Sequence, residues 1–233
     1  MKRGILFVLG VIISVVWISS ALAAEPRLIA SDEREKAYLY VIGENQFSVK
    51  FKDVSGVFTW EIDPRADAPK LRVFDYDQDG EKEIAVSLCI GTGTGLDIDA
   101  LHIVKLQDGK LVSYTYTEEE YTKRIKDAVA FKVARENSRL IAEFSSGRDS
   151  IRIDVTKSLN DYSPKDSEMR LECGDVVSFS PKTDGTIVLR AALGTKVSDT
   201  YTPDYYADLT ANVVFTDGTF SLSNIRIVAS PLL

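Results

Sequence analysis

The sequence predicts a mainly β chain with one short helix. Three observations carry this expectation. Short runs rich in β-branched and aromatic residues recur along the chain. Asp-Gly pairs separate such runs at Asp108-Gly109, Asp184-Gly185 and Asp217-Gly218, and Ser146-Gly147 does the same. An Asp-Gly pair signals an antiparallel hairpin, because a type I′ turn needs φ > 0 at both central positions. Helix signals concentrate in a single segment. These turns are unevenly spaced, so no internal repeat emerges.

The N-terminus reads as a signal peptide over 1–23. Lys2 and Arg3 form a basic start, residues 5–18 are apolar, and Ala21-Leu22-Ala23 fits a cleavage site. No cysteine follows the apolar run, so a lipid anchor is not expected. No later stretch is long enough to span a bilayer, so no stable membrane span is expected after cleavage. Cleavage would remove two positive charges and take the formal charge from −7 to −9. That balance argues against a nucleic-acid partner, which needs clustered Lys and Arg. It suits a secreted, cation-binding protein.

Strand runs are expected at 37–42, 46–51 and 57–62, with turns at 43–45 and 53–56 between them. Residues 71–74 and 84–90 come next, followed by 100–106 and 110–117. Then come 128–133, 140–144 and 151–155, and finally 176–180, 186–192, 211–215 and 219–228. The helix starts at Thr117-Glu118-Glu119-Glu120, which fits a capping box. Tyr121 and Ile125, four apart, would dock on a sheet. The acidic run therefore reads as a helix start rather than a metal site. Residues 158–168 are polar and include Pro164, so they read as a loop or linker between a β region at 24–157 and C-terminal hairpins at 169–233.

The most chemically specific stretch is Asp75-Tyr76-Asp77-Gln78-Asp79-Gly80-Glu81-Lys82-Glu83. It places carboxylates on alternate positions with a glycine at the sixth. Ca²⁺ wants six to eight oxygens at about 2.3–2.6 Å. Asp75, Asp77 and Asp79 can supply three of them. Gly80 permits a sharp turn, Glu81 can offer its carbonyl, and Glu83 can close the cage. The alternative is an acidic turn in solvent, but carboxylates this close repel one another without a cation. An EF-hand is excluded: its twelfth position needs Glu and here is Val86, and both flanks read as strands.

A strand–DxDxDGxxE–strand arrangement resembles the calcium loop of FG-GAP and VCBS repeats, the blade unit of integrin-α-like propellers. The likeness covers about residues 70–106 and extends more loosely to secreted proteins of Gram-positive bacteria carrying one such unit. It implies that Asp75, Asp77, Asp79 and Glu83 hold calcium with the Glu81 carbonyl. The ninth position is Glu where the family often has Asp. With this unit, the expected architecture is antiparallel hairpins around a blade-like calcium unit. It would form a small or incomplete β-propeller, or two packed sheets.

Other residues carry weaker signals. Residues 91–95, Gly-Thr-rich, lack the Lys and following helix of a phosphate loop and read as a flexible connection. Asp97 and Asp99 could add oxygens to a nearby ion. His102, the only histidine, reads as a part-buried strand residue; no second histidine supports a catalytic set. Tyr201, Pro203, Tyr205 and Tyr206 read as an aromatic loop, either covering a sheet end or meeting a partner. Cys89 and Cys173 could form a disulfide in an exported protein, or Cys89 could be a buried thiol. The expected function is a non-catalytic, extracytoplasmic calcium-binding module meeting a protein or glycan at the cell surface. The alternative is a cell-envelope hydrolase acting on polysaccharide.

Overall fold

One long hairpin separates two hydrophobic cores. Its arms are β6 (Glu83–Gly93) and β7 (Leu96–Gln107), paired antiparallel from Ile84↔Val104 to Gly93↔Leu96. Side chains alternate across a strand, so each arm serves both faces. Ile84, Val86, Leu88 and Val104 point to one core, while Ala85, Leu101 and Ile103 point to the other. Strands buried on both faces read as continuous apolar runs, as Ile84–Ile90 does in the sequence. The computed structural model describes residues 25–159, 169–196 and 203–230. The expected signal peptide and most of the expected 158–168 linker lie outside these residues.

The smaller core lies under a four-stranded antiparallel meander: β1 (Arg27–Asp32), β2 (Ala37–Gly43), β3 (Gln46–Phe51) and β4 (Val54–Thr59). Ala37, Leu39, Phe47, Val49 and Phe51 pack there against Leu71, Ile84, Val86, Leu88, Val104 and Leu111. The sequence placed the third run at 57–62 after a turn at 53–56. The turn is tighter than that: Phe51 already pairs with Val54, and Lys52 turns the backbone back with φ at 55°. Trp60 and Ile62 consequently fall beyond the strand. β1 has no counterpart among the expected runs.

The larger sheet has nine strands. Along it run β5 (Lys70–Phe74), β6, β7, β13 (Val176–Pro181), β14 (Ile187–Lys196), β15 (Asp204–Thr216) and β16 (Thr219–Ala229). Two further strands attach to it: β8 (Lys110–Tyr116) pairs with β7, and β12 (Arg170–Glu172) with β14. All these pairings are antiparallel but one. β13 runs parallel to β7, through Val176↔Asp97 and Val177↔Ile98. Strands from both sides of the expected linker thus share one sheet.

Asp108-Gly109 and Asp217-Gly218 make the expected turns, with φ positive at all four residues. At the Asp184-Gly185 turn only Gly185 is positive, so that hairpin closes differently. Residues 91–95 are not a loose connection. Gly91 and Thr92 continue the ladder opposite Ile98 and Asp97, so Asp97 and Asp99 are strand residues. The aromatic segment also differs from expectation: Tyr205 and Tyr206 lie inside β15, and Tyr206 is buried. Residues 201–202 lie outside the described residues.

The helix forms as its sequence dictates. In α1 (Glu118–Ala128) the Thr117 hydroxyl accepts from Glu120 N at 3.3 Å, and the Glu120 carboxylate accepts from Thr117 N at 3.1 Å. Tyr121 and Ile125 are fully buried in the larger core. A three-stranded sheet of β9 (Ala130–Glu136), β10 (Arg139–Ser146) and β11 (Asp149–Asp154) adds Leu140, Ala142 and Phe144 to that core. One helical turn, α2 (Thr156–Leu159), follows. The described chain is therefore mainly β, in layered sheets, with one helix of more than a turn.

Candidate metal centre

The acidic loop joins β5 to β6, where the sequence placed it. Gln78 and Gly80 both take positive φ, 61° and 94°. The tight path folds the loop's amides onto its own carboxylates. Asp75 Oδ2 accepts from Gly80 N at 3.0 Å, and Asp79 Oδ1 accepts from Glu81 N at 2.8 Å. Glu83 begins β6 with no exposed surface, and its Oε2 accepts from Tyr76 N at 2.8 Å.

Asp75, Asp77 and Glu83 come together. Each offers a carboxylate oxygen, and these oxygens lie within 4.8 Å of one another, close enough to share a metal ion. Two buried oxygens, Asp75 Oδ1 and Glu83 Oε1, have no hydrogen-bond partner. A buried acceptor without a partner is costly. A hard cation would satisfy both, so the donor set fits one. Asp79 is not in that group. Its second oxygen faces Lys105 Nζ at 2.6 Å. The Glu81 side chain is exposed, and Glu81 contributes its N–H to Asp79.

Lys105 is the residue that sequence reasoning passed over. It reaches across from β7, only 13% exposed, and its ammonium pairs with Asp77 Oδ2 as well as Asp79, with Glu83 Oε1 at 3.5 Å. The signal was present: Leu101, Ile103 and Lys105 alternate onto one face, and the first two are core residues. The electrostatics follow from this contact. The Lys105 hydrogen bond, helped by Glu81 N, lowers the Asp79 carboxyl below the usual range. Burial raises that of Glu83. Burial also opposes the Lys105 charge, but the bonds to Asp77 and Asp79 outweigh it and raise its pKa. Beside the lysine lies a cavity of about 340 Å³ bounded also by Tyr114, Phe215 and Asp217.

No family model, no curated protein and no solved structure matches this chain.

A second group of possible ligands is Cys89, Asp97 and Asp99. Its members are already engaged. Asp99 Oδ2 accepts from Ser87 Oγ at 2.8 Å and Phe179 N at 3.2 Å, with Lys70 Nζ at 3.6 Å. The Cys89 thiol donates weakly toward Gly91 O. Both cysteines are free, and burial pushes the Cys173 thiol up to about 12.

His102 is more deeply buried than expected. Its ring stacks on Trp60 at 4.2 Å, and Trp60 stacks in turn on Phe58 at 5.1 Å. Nδ1 lies 3.0 Å from Thr115 Oγ1, while Nε2 has no hydrogen-bond partner. Burial pushes its pKa down to about 3, so the ring is neutral. Among the described residues, no helix is long and apolar enough to cross a membrane.

Proposed function

We propose that this chain is an extracytoplasmic calcium-binding β module whose ion is structural. One observation carries the reading: oxygens of Asp75, Asp77 and Glu83 converge at the mouth of the β5–β6 hairpin, and two buried oxygens there lack a hydrogen-bond partner. All the donors are carboxylates, the chemistry Ca²⁺ prefers. Ligation would tie the loop to Glu83, which is anchored in β6. The role is to rigidify the hairpin that separates the two cores, leaving the outer surfaces to a protein or glycan. The likeness of 70–106 to the FG-GAP and VCBS calcium loop supports the same reading. Lys105 sets the terms of binding, because an ion must displace its ammonium from Asp77 and Glu83.

Thermal unfolding tests this. Extracellular calcium modules bind at about 10⁻⁴–10⁻³ M. At the tight end, about 2 mM Ca²⁺ adds about 1.8 kcal/mol over EDTA by linkage. For a chain this size Tm rises by about 4–7 °C. Mg²⁺ should do much less, and Asp77→Ala should abolish the rise. Equal Tm in EDTA, Ca²⁺ and Mg²⁺ would refute the assignment.

A further inference from the structure

A second cavity lies away from the acidic loop, on the opposite face of β7. His102 and Lys105 are an odd number of residues apart, so the strand sends them to opposite faces. The cavity measures about 860 Å³, a volume that accommodates a drug-sized molecule. Trp60, Ile90 and Ala100 form apolar walls, and His102 lines it as well. One face of α1 closes it through Glu119, Thr122, Lys123 and Lys126, the i, i+3, i+4, i+7 stripe of a helix.

Two features ask for a polar partner there. His102 and Thr122 both line the cavity, and both His102 Nε2 and Thr122 Oγ1 are buried atoms with no hydrogen-bond partner. His102 itself is 2% exposed. With its proton on Nδ1, donated to Thr115 Oγ1, the ring leaves Nε2 as an acceptor.

The charge of the partner follows from the rim. Glu61, Glu118 and Glu119 line the cavity, and none forms an ion pair among the described residues. Of the two lysines, Lys123 is held by Asp127 at 2.6 Å, which leaves three carboxylates on the rim against the single ammonium of Lys126. Partial burial, then the negative field of Asp175, Glu172 and Glu61, raises the Glu118 carboxyl. A cation would relieve that field.

We propose that this cavity binds a small organic cation, a protonated amine on an apolar body. The amine sits near Glu61 and Glu118 and donates toward His102 Nε2, while the body lies against Ile90, Ala100 and the edge of Trp60. This site goes beyond the calcium reading and does not depend on it.

A matched series tests the charge requirement: 4-phenylbutylamine, 4-phenylbutanol and 4-phenylbutyrate share one body. Calorimetric titration of the full chain should show saturable binding of the amine, at least about tenfold tighter than the alcohol, and none of the carboxylate. With Trp17→Phe, Trp60 is the only tryptophan, and its emission should change with the same curve. The exposed pair Glu61→Gln and Glu118→Gln, which leaves the core untouched, should weaken the amine about tenfold. His102→Phe should weaken amine and alcohol alike. Indifference to charge, or an amine affinity unchanged in the double Gln variant, would overturn the proposal. So would absence of amine binding up to about 10 mM, well above the Kd a ligand of this size reaches in a fitted site. Running each titration in EDTA and in Ca²⁺ keeps failure here distinct from failure of the calcium site.

Discussion

Lys105 Nζ lies 3.5 Å from Glu83 Oε1, placing an ammonium from β7 beside the fully buried carboxylate that opens β6. The contact gives the acidic loop a cation of its own. It also makes the lysine a direct competitor of any metal.

Lys105→Met should act in opposite directions with and without calcium. In EDTA it leaves Asp77 and Glu83 uncompensated, and stability should fall by about 3 kcal/mol. Calcium affinity should rise by about tenfold, because no ammonium has to leave. Urea unfolding in EDTA and calcium titration calorimetry check the two halves. An unchanged calcium affinity would place the lysine outside the ion's path.

His102 should steepen the acid side of the stability curve. Burial pushes its pKa down to about 3 in the folded chain, against about 6.5 unfolded. Between those values the unfolded chain binds the proton and the folded chain does not. Its contribution is therefore present above about pH 6.5 and is lost as pH falls, by up to about 1.4 kcal/mol per pH unit. His102→Phe should flatten the wild-type loss between about pH 6 and 5. Denaturant unfolding at several pH values measures it; parallel curves would show that the ring titrates alike in both states.

Asp63 should act at lower pH. Its carboxylate takes five hydrogen bonds: Arg65 donates through N, Nε and an outer nitrogen, and Thr92 through N and Oγ1. The Arg65 guanidinium first, then its amide and Thr92, lowers the carboxyl well below the usual range. The stabilisation is present above the unfolded value of about 3.9. It is lost as pH falls toward the folded one. Asp63→Asn should lower Tm at neutral pH and shrink the drop in Tm below about pH 4. If the variant matches wild type across that range, the clamp contributes nothing to folding.

Gly194 should not tolerate a side chain. A Cβ there would lie 2.1 Å from Asp204 O, a backbone atom, where the β14–β15 register shifts. Gly194→Ala should lower stability by about 2 kcal/mol, since the strand itself must move. Chemical denaturation reads it directly. Wild-type stability would mean the bulge can relax.

Local chemistry explains what the sequence made legible. Asp108-Gly109 and Asp217-Gly218 could be placed because their φ requirement belongs to the turn itself. Thr117 and Glu120 satisfy each other within four residues, so the helix start was equally visible. The acidic loop was found at 75–83 for the same reason, although only Asp75, Asp77 and Glu83 converge. What escaped was set by distant partners. Lys105 meets Asp77 only once β7 pairs with β6. The Trp60–His102 stack depends on a strand ending at Thr59, one residue before the tryptophan. The β7–β13 joint leaves no mark, because parallel pairing has no turn to announce it.

That joint also dictates an order of assembly. Hairpins such as β7–β8 and β15–β16 close over two residues each, whereas Val176 meets Asp97 only after a far longer stretch has been gathered. Closing a loop of about 80 residues costs about 4 kcal/mol in chain entropy. Only two residue pairs form the joint itself. Contact order therefore favours hairpins that fold first on local contacts and two halves of the nine-stranded sheet that dock afterwards, across the shared core of Tyr116, Phe179 and Phe220. On that expectation the slow step of folding is the meeting of two preformed sheets along one short seam.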